Sequence, residues 1–254
     1  MVQLKAMMPP EKLSIIPKDR IIFALDFTEL DEAVKYIKLL KNQVGLFKIG
    51  WTLFIKDGLN VIKTIQDITG SQNWFFDAKL NDIPHQLSGL SSVLLSESQG
   101  VKFVTVHTSE GERLLKAVVD VLNGSIKVLG ITVLTSLSEE ESRVLGYQIS
   151  IQERVITSAK MAQRAGCQGV VCSGHEAKAV KKECGSEFII VTPGIRPSWA
   201  RIPRDDQCRV MTPGEAIKNS ADYIVVGRPI SWDKDPVGAA NKIAEEIEKS
   251  LLNQ

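Results

Sequence analysis

The chain has 254 residues, of which 44% are hydrophobic, and its 31 Lys and Arg residues are matched by 30 Asp and Glu residues. This length and apolar content are sufficient for one large core, and the balanced charge argues against a nucleic-acid partner. The four cysteines lack the C-x-x-C spacing of zinc and redox sites, which favours a reducing compartment over a disulfide framework.

No apolar run approaches the roughly 18 residues of a membrane span. The first residues also lack a signal-peptide core followed by a small-residue cleavage site. We therefore expect a cytoplasmic protein with no membrane partner. In this interpretation residues 1–19 are an N-terminal extension and residues 20–254 form one folded domain.

From residue 20 onward, short β-branched or apolar runs alternate with amphipathic stretches, a pattern typical of βαβ units and a parallel sheet. The predicted strands are 21–26, 46–49, 74–79, 101–107, 127–133, 169–173, 188–192 and 223–227. The predicted helices are 30–41, 58–68, 86–98, 111–122, 150–165, 176–183, 213–220 and 236–252.

Eight strand–helix units in a chain of this length predict a single-domain (β/α)8 TIM barrel of the α/β class. The alternative is an open doubly wound sheet. Such a sheet would ordinarily have fewer strands and a glycine-rich phosphate turn after the first one, where this chain has Asp26-Phe27-Thr28.

The densest group of ionisable residues follows the apolar run 74–76, where the sequence continues with Asp77, Lys79 and Asp82. In a regular strand Asp77 and Lys79 project from the same face, roughly 6 to 7 Å apart. Asp82 falls in the following loop, and Pro84 indicates the start of a helix. From this string alone, a solvated strand end with Asp82 favouring the helix N-terminus is the alternative to a functional site.

Other polar residues also fall at predicted strand ends, which is where the active site of a barrel forms. His107 ends the fourth strand, but a hydrogen-bonded histidine in the barrel mouth fits that position as well as a catalytic one. The remaining polar residues at strand ends are Asp26, Lys48, Thr135 and Ser173.

The loops after the seventh and eighth strands have the composition of a phosphate site. Gly194 with Arg196, and Gly227 with Arg228, combine glycines that admit backbone N–H groups with arginines that supply planar donors. The loop after the seventh strand also carries Gln207 and is long enough to act as a lid. Glycines in tight turns with solvated arginines are the alternative.

We expect no metal at this site, because its carboxylates alternate with lysines that would repel and replace a cation. Charges at the end of an apolar strand are costly to bury and are normally tolerated only when they are paired or used in function. A set of residues in which positive and negative charges alternate meets this condition.

These segments, taken in order from residue 21, resemble orotidine 5'-phosphate decarboxylases. The string D-x-K-x-x-D-I-P at the end of a third strand is the most specific of them. The matching segments are ALDF around Asp26, FKIG around Lys48, FDAKLNDIP from Phe76 to Pro84, VTVH to His107, VLTS around Thr135, TPGIR to Arg196 and VVGRPI around Arg228.

The resemblance implies decarboxylation of orotidine 5'-phosphate to UMP and carbon dioxide, the last step of de novo pyrimidine biosynthesis, with no cofactor and no metal. It implies a homodimer in which Lys48, Asp77, Lys79 and Asp82 form an alternating charge array, with Asp82 reaching into the neighbouring subunit's site. Lys79 is implied to protonate carbon 6. The implied substrate-binding residues are Asp26, Lys48, Ile83, Gln86, Thr135, Arg196, Gln207, Gly227 and Arg228.

The chain departs from this pattern after Pro84, where many relatives have Asn-Thr and this sequence has His85-Gln86. The family's threonine reaches the neighbouring subunit's ligand, so this contact must differ here.

Two other functions fit the same barrel. Metal-dependent sugar-phosphate decarboxylases and aldolases share the D-x-K-x-x-D string, but they generally have glutamate at the position of Lys48. A sensor that binds a phosphate ligand without catalysis is the other, and the intact charge array argues against it.

Overall fold

The computed structural model describes residues 16–70, 74–97, 100–203 and 205–253. Its strands form a closed parallel barrel in the order β1 to β8, which confirms the predicted TIM barrel. The strands are β1 Ile21–Ala24, β2 Leu46–Ile49, β3 Trp74–Leu80, β4 Val101–His107, β5 Lys127–Ile131, β6 Gly169–Val171, β7 Ile189–Thr192 and β8 Tyr223–Val226.

The helices surround the barrel, and three short ones were not expected from the sequence. The unexpected helices are α2, α6 and α10, which are too short for a clear hydrophobic period. In order, the helices are α1 Leu30–Leu40, α2 Trp51–Asp57, α3 Asn60–Thr69, α4 Pro84–Glu97, α5 Glu112–Leu122, α6 Glu139–Val144, α7 Ile151–Arg164, α8 Gly174–Cys184, α9 Pro213–Lys218, α10 Arg228–Ser231 and α11 Pro236–Leu252.

Side chains alternate between the two faces of each strand, so the barrel has an inner and an outer apolar layer. The inner layer is a separate buried cluster that includes Leu46, Phe75 and Phe103. Two residues further along the same strands, the inward positions are Lys48, Asp77 and Thr105. The polar residues at the mouth of the barrel therefore lie directly above this buried apolar cluster.

The prediction of an N-terminal extension falls mainly on residues 1–15, which lie outside the described residues. Residues Pro17–Arg20 form a 3-10 turn that leads into β1, and the buried Arg20 donates to the carbonyl oxygen of Asp222 at 3.1 Å. Within the described ranges, none of the helices combines the length and hydropathy that crossing a membrane requires.

Candidate active site

Strand β3 is irregular at its end, where the charged residues begin. The pairing passes from Phe76 opposite Val104 to Leu80 opposite Val106, so three residues of β3 face Thr105 alone. Lys79 has φ +46°, a left-handed conformation that costs a non-glycine residue about 1 to 3 kcal/mol. The strand that we predicted as regular therefore contains a bulge.

At the bulge, charges from β2, β3 and the loop after β1 come into contact. Asp77 Oδ2 accepts from Lys79 Nζ at 2.7 Å and lies 3.5 Å from Lys48 Nζ. Lys48 Nζ in turn donates to Asp26 Oδ1 at 2.9 Å. Lys48 and Asp77 are largely buried, whereas the side chains of Lys79 and Asp26 are 37% and 63% exposed. The result is an alternating row of two cations and two anions.

Each buried charge in this row is stabilised by its neighbours. Burial opposes ionisation of Asp77, but Lys48, Lys79 and the hydroxyl of Thr105 together hold the pKa of Asp77 below its ordinary value. Burial likewise opposes protonation of Lys48, yet the coulombic attraction of Asp77 and Asp26 raises the pKa of Lys48. Both groups are therefore charged at neutral pH, as the array requires.

The row lines a cavity of about 640 Å³ at the mouth of the barrel, within the size range of small-molecule sites. The two carboxylates of the row alternate with two lysines, which makes it a poor site for a cation. The described residues also include no cluster of three or more His, Cys, Asp or Glu side chains that could hold a metal. The predicted residues that line this cavity are Asp26, Lys48, Asp77, Lys79, Thr135, Arg196, Gln207, Gly227 and Arg228.

The two predicted phosphate-binding arginines contact carboxylates of the loop after β7. Arg196 grips Asp205 with two nitrogens, at 2.5 and 2.7 Å, and this hydrogen-bonded pair holds the pKa of Asp205 at about 2. Arg228 contacts Asp205 at 3.1 Å and also pairs with Asp206. The arginine N–H groups that would bind an anionic ligand are therefore hydrogen-bonded to carboxylates of this loop.

The same loop also reaches the β5 side of the cavity. Gln207 and the hydroxyl of Thr135 are hydrogen-bonded at 2.5 Å. Gly194, where the loop leaves β7, has φ +73°, and a side chain there would approach the carbonyl oxygen of Arg209 to 3.0 Å. Glycine is therefore needed at position 194 for the loop to turn back over the cavity.

Three predicted residues do not line this cavity. Asp82 and Ile83 are exposed and line a second, more open cavity together with Glu110 and Arg113. Gln86 is exposed on the first turn of α4. Asp82 accepts from the backbone N–H of Ile83 at 2.6 Å, which turns the chain into α4.

Several residues that shape the site were not predicted from the sequence. Thr105 is fully buried and contacts both Asp77 and Lys79. Thr105 lies two residues after the inward Phe103, just as Asp77 lies two residues after Phe75. This alternation in the sequence could have indicated that Thr105 points into the barrel. Asp205 and Asp206 were not predicted, because their pairing with Arg196 and Arg228 depends on how the loop after β7 folds and follows no regular spacing.

His107 has a modest place in the site. It ends β4 and is half-buried, and burial, followed by the charge of Lys79, lowers its pKa. A neutral imidazole adds no charge to the array. His107 is therefore a neutral neighbour of Lys79 and Asp77.

Known proteins resemble this chain over nearly its full length. Residues 19–243 match the model of the orotidine 5'-phosphate decarboxylase / HUMPS family. The orotidine 5'-phosphate decarboxylase of Desulfosudis oleivorans is 44% identical over 239 residues, which cover 92% of this chain and 95% of that protein. The enzyme of the same name from Geobacter sp. strain M21 is 39% identical over 235 residues, covering 90% and 95%.

A solved structure agrees with these relatives. The crystal structure of orotidine 5'-phosphate decarboxylase from Lactobacillus acidophilus matches with a TM-score of 0.76 and 32% sequence identity, over 89% of this chain and 98% of that chain.

Proposed function

This chain belongs to the orotidine 5'-phosphate decarboxylase / HUMPS family, and from its site we infer how it converts orotidine 5'-phosphate to UMP and carbon dioxide. It is a carboxy-lyase of pyrimidine biosynthesis. The observation that carries the mechanism is the contact of Asp77 with both Lys48 and Lys79 inside the cavity. Lys48 also separates this chain from the metal-dependent branch of the barrel, in which a glutamate generally takes its place.

Lys79 is the proton donor of the proposed mechanism. When the bond between carbon 6 and the carboxyl carbon breaks, carbon dioxide leaves and the electron pair stays on carbon 6. The ammonium of Lys79 stabilises this pair and then transfers a proton from Nζ to carbon 6, which completes UMP. Solvent reprotonates Lys79, whose side chain is 37% exposed.

Asp77 holds the donor in position and acts on the substrate's carboxylate. Its Oδ2 lies 2.7 Å from Lys79 Nζ, so a carboxylate bound beside Lys79 also approaches a negative charge. Two like charges 4 Å apart repel by about 4 kcal/mol at an effective dielectric near 20. Loss of neutral carbon dioxide moves the negative charge from the carboxylate to carbon 6, beside the Lys79 ammonium, and so relieves this repulsion, while Lys48 keeps Asp77 ionised throughout.

The remaining cavity residues bind the parts of the substrate that do not react. Asp26 and Lys48 bind ribose hydroxyls, and Thr135 binds the edge of the pyrimidine. Arg228 and the backbone of Gly227 bind the phosphate, and Arg196 and Gln207 close the lid over it. Contacts to the remote phosphate then stabilise the closed site in which the chemistry occurs.

We further propose that the working enzyme is a homodimer and that Asp82 acts in the partner's site. Asp82 and Ile83 are exposed and line the second cavity, and neither they nor the exposed Gln86 line the cavity of their own chain. A carboxylate that takes part in the reaction from this position must serve another subunit. Ile83, 62% exposed, is an apolar contact suited to such an interface.

Subunit mixing tests the shared site. Lys79→Ala and Asp82→Ala chains, each inactive alone, should recover activity when mixed, because one of the two sites in a mixed dimer receives both intact residues. Lys79→Ala mixed with Asp77→Ala is the matched control, since both lesions lie in the same chain's cavity. Proven subunit exchange without recovery would contradict sharing.

The compartment is part of the same proposal. All four cysteines are free thiols, and three of them are buried. Burial raises the pKa of Cys167 to about 12, which makes this thiol unreactive. Free cysteines in place of disulfides support an enzyme that works in a reducing cytoplasm.

The reaction itself is tested by following the absorbance loss of orotidine 5'-phosphate with purified protein in EDTA. We expect full turnover in EDTA and no stimulation by Mg²⁺. Turnover that depends on added Mg²⁺, or none with this substrate, would remove the proposed mechanism.

A further inference from the structure

The hydroxyl of Thr105 joins the two residues at the centre of the proposed chemistry. Thr105 Oγ1 accepts from the backbone N–H of Lys79 at 2.8 Å and donates to Asp77 Oδ1 at 3.0 Å. These directions are fixed, because a backbone N–H can only donate and an ionised carboxylate can only accept. Thr105 itself is fully buried on β4.

The Thr105 hydroxyl takes the place of a missing ladder bond in the sheet. Three residues of β3 face Thr105 alone, so the strand pairing is interrupted where Lys79 adopts φ +46°. Non-glycine residues rarely adopt this conformation and need surrounding contacts to hold it. On the other side of the bulge, Trp51 Nε1 donates to the carbonyl oxygen of Ala78 at 2.6 Å.

The Thr105 hydroxyl also fixes the rotation of the Asp77 carboxylate. The terminal torsion of an aspartate is broad, so contacts at one oxygen leave the other free to move. Oδ2 faces Lys79 Nζ at 2.7 Å and Lys48 Nζ at 3.5 Å, while Oδ1 is held by Thr105. Both oxygens are therefore assigned to separate partners.

We propose that Thr105 is a positioning residue for decarboxylation, because its single hydroxyl holds the Lys79 backbone and the Asp77 carboxylate in one geometry and thereby aims the Lys79 ammonium at carbon 6. The inference rests on the proposed function and adds a residue to it. Among the described residues, the hydrogen bonds of this hydroxyl go to Lys79 and Asp77 and not to the loops that carry substrate-binding groups, so Thr105 acts on the chemical step and not on binding.

The hydroxyl also affects when Asp77 takes up a proton. Burial opposes ionisation of Asp77, and the hydrogen bond from Thr105 is among the interactions that lower its pKa. Loss of the hydroxyl should therefore raise the pKa of Asp77. The acid limb of the pH profile, where kcat falls as pH is lowered, should then move to higher pH. The charged or titratable groups that face Asp77 are Lys48 on β2, Lys79 on β3 and His107 on β4, with Asp26 behind Lys48.

Three variants test the proposal in the full-length protein. Thr105→Val keeps the shape of the side chain and removes the hydroxyl, and Thr105→Ser keeps the hydroxyl. A hydrogen bond to a charged group is worth a factor of about 10 to 100, so we expect Thr105→Val to lower kcat by that factor with KM within threefold. Thr105→Ser should stay within threefold of wild type in both constants. If Thr105→Val does not fold, Thr105→Cys, a weak donor and acceptor, replaces it.

Trp51→Phe is the matched control for the bulge. It removes the hydrogen bond to Ala78 but no contact with Asp77, so the acid limb of kcat should stay where it is in wild type. The limb should move to higher pH only in the variants that lose the Thr105 hydroxyl.

Any of four results would overturn the proposal. The first three are a kcat of Thr105→Val within threefold of wild type, a rise in KM that accounts for its loss of kcat/KM, and a Thr105→Ser variant as impaired as Thr105→Val. An unmoved acid limb in Thr105→Val would do the same. Failure of the proposed function is distinguishable, because wild type itself would then show no turnover of orotidine 5'-phosphate.

Discussion

Replacing Lys48 by methionine should destabilise the fold as well as the active site. Lys48 is 7% exposed and Asp77 is almost as deeply buried, so removal of the lysine leaves a buried carboxylate with one remaining cation. Methionine has a similar length and no charge. The change therefore tests whether the lysines compensate the burial of Asp77.

The size of the effect follows from the geometry. Opposite charges 3.5 Å apart attract by about 5 kcal/mol at an effective dielectric near 20. Part of this attraction is offset by the desolvation of Lys48 in wild type. Removing one partner of a buried pair typically lowers the free energy of unfolding by about 3 to 5 kcal/mol, and that is the range that we expect for Lys48→Met.

The assay is urea unfolding at pH 7, followed by far-UV circular dichroism, of wild type, Lys48→Met, Asp77→Asn and the double variant. The double variant should be more stable than the sum of the single losses predicts, with a coupling energy of about 2 to 5 kcal/mol between the two positions. Lys116→Met is the control, because Lys116 pairs with Asp120 on the surface. Its cost should stay below about 1 kcal/mol.

Additive losses would refute the compensation of Asp77 by Lys48. Independent sites show coupling energies of up to about 0.5 kcal/mol, so a smaller value would mean that the two positions are not coupled. That result, or a Lys48→Met variant as stable as Lys116→Met, would mean that the buried carboxylate does not depend on this lysine.

Two further predictions concern the lid and the pH dependence. Asp206→Asn removes an exposed ion pair with Arg228 that is worth about 0.2 to 1 kcal/mol. Steady-state kinetics should therefore show that KM for orotidine 5'-phosphate is lowered by about one and a half to fivefold. A raised KM would contradict the competition between the Asp206 carboxylate and the substrate's phosphate for Arg228. Asp77 has a folded-state pKa below its unfolded value, so its contribution to stability is present above the unfolded pKa of about 3.9 and is lost as pH falls through the folded value. Urea unfolding between pH 7 and pH 3 should therefore show a smaller loss for Asp77→Asn than for wild type, and equal losses would contradict the depressed pKa.

The position of the charge array could be predicted from the sequence because strands obey a simple rule. Parallel strands of a barrel end at one face, and inward positions recur every second residue. Lys48 and Asp77 each follow an inward apolar residue at that spacing. The pattern therefore placed residues from two strands at one face of the barrel, while their contact as a charge array was implied by the resemblance.

The bulge at Lys79 could not be predicted in the same way. The segment Asp77-Ala78-Lys79 contains no glycine, so its sequence favours regular strand geometry. The left-handed conformation depends on partners elsewhere, Thr105 on β4 and Trp51 on α2. Contacts between distant parts of the chain decide this local structure.

Short helices and lid contacts were missed for different reasons. Helix α6 is too short for a hydrophobic period, although Ser138 and Glu141 form a capping box that was visible as a spacing in the sequence. The pairing of Arg228 with Asp206 depends on how the long loop folds back over the cavity. No spacing rule applies to such a loop.

The most direct test of the proposed mechanism is the turnover number of Lys79→Ala with saturating orotidine 5'-phosphate in EDTA, measured beside wild type and Lys116→Ala. Because Lys79 is the only proton donor to carbon 6 in this mechanism, kcat of Lys79→Ala should fall by at least about 100-fold while its circular dichroism spectrum and the activity of Lys116→Ala stay at wild-type level. A folded Lys79→Ala enzyme with kcat within tenfold of wild type would contradict it.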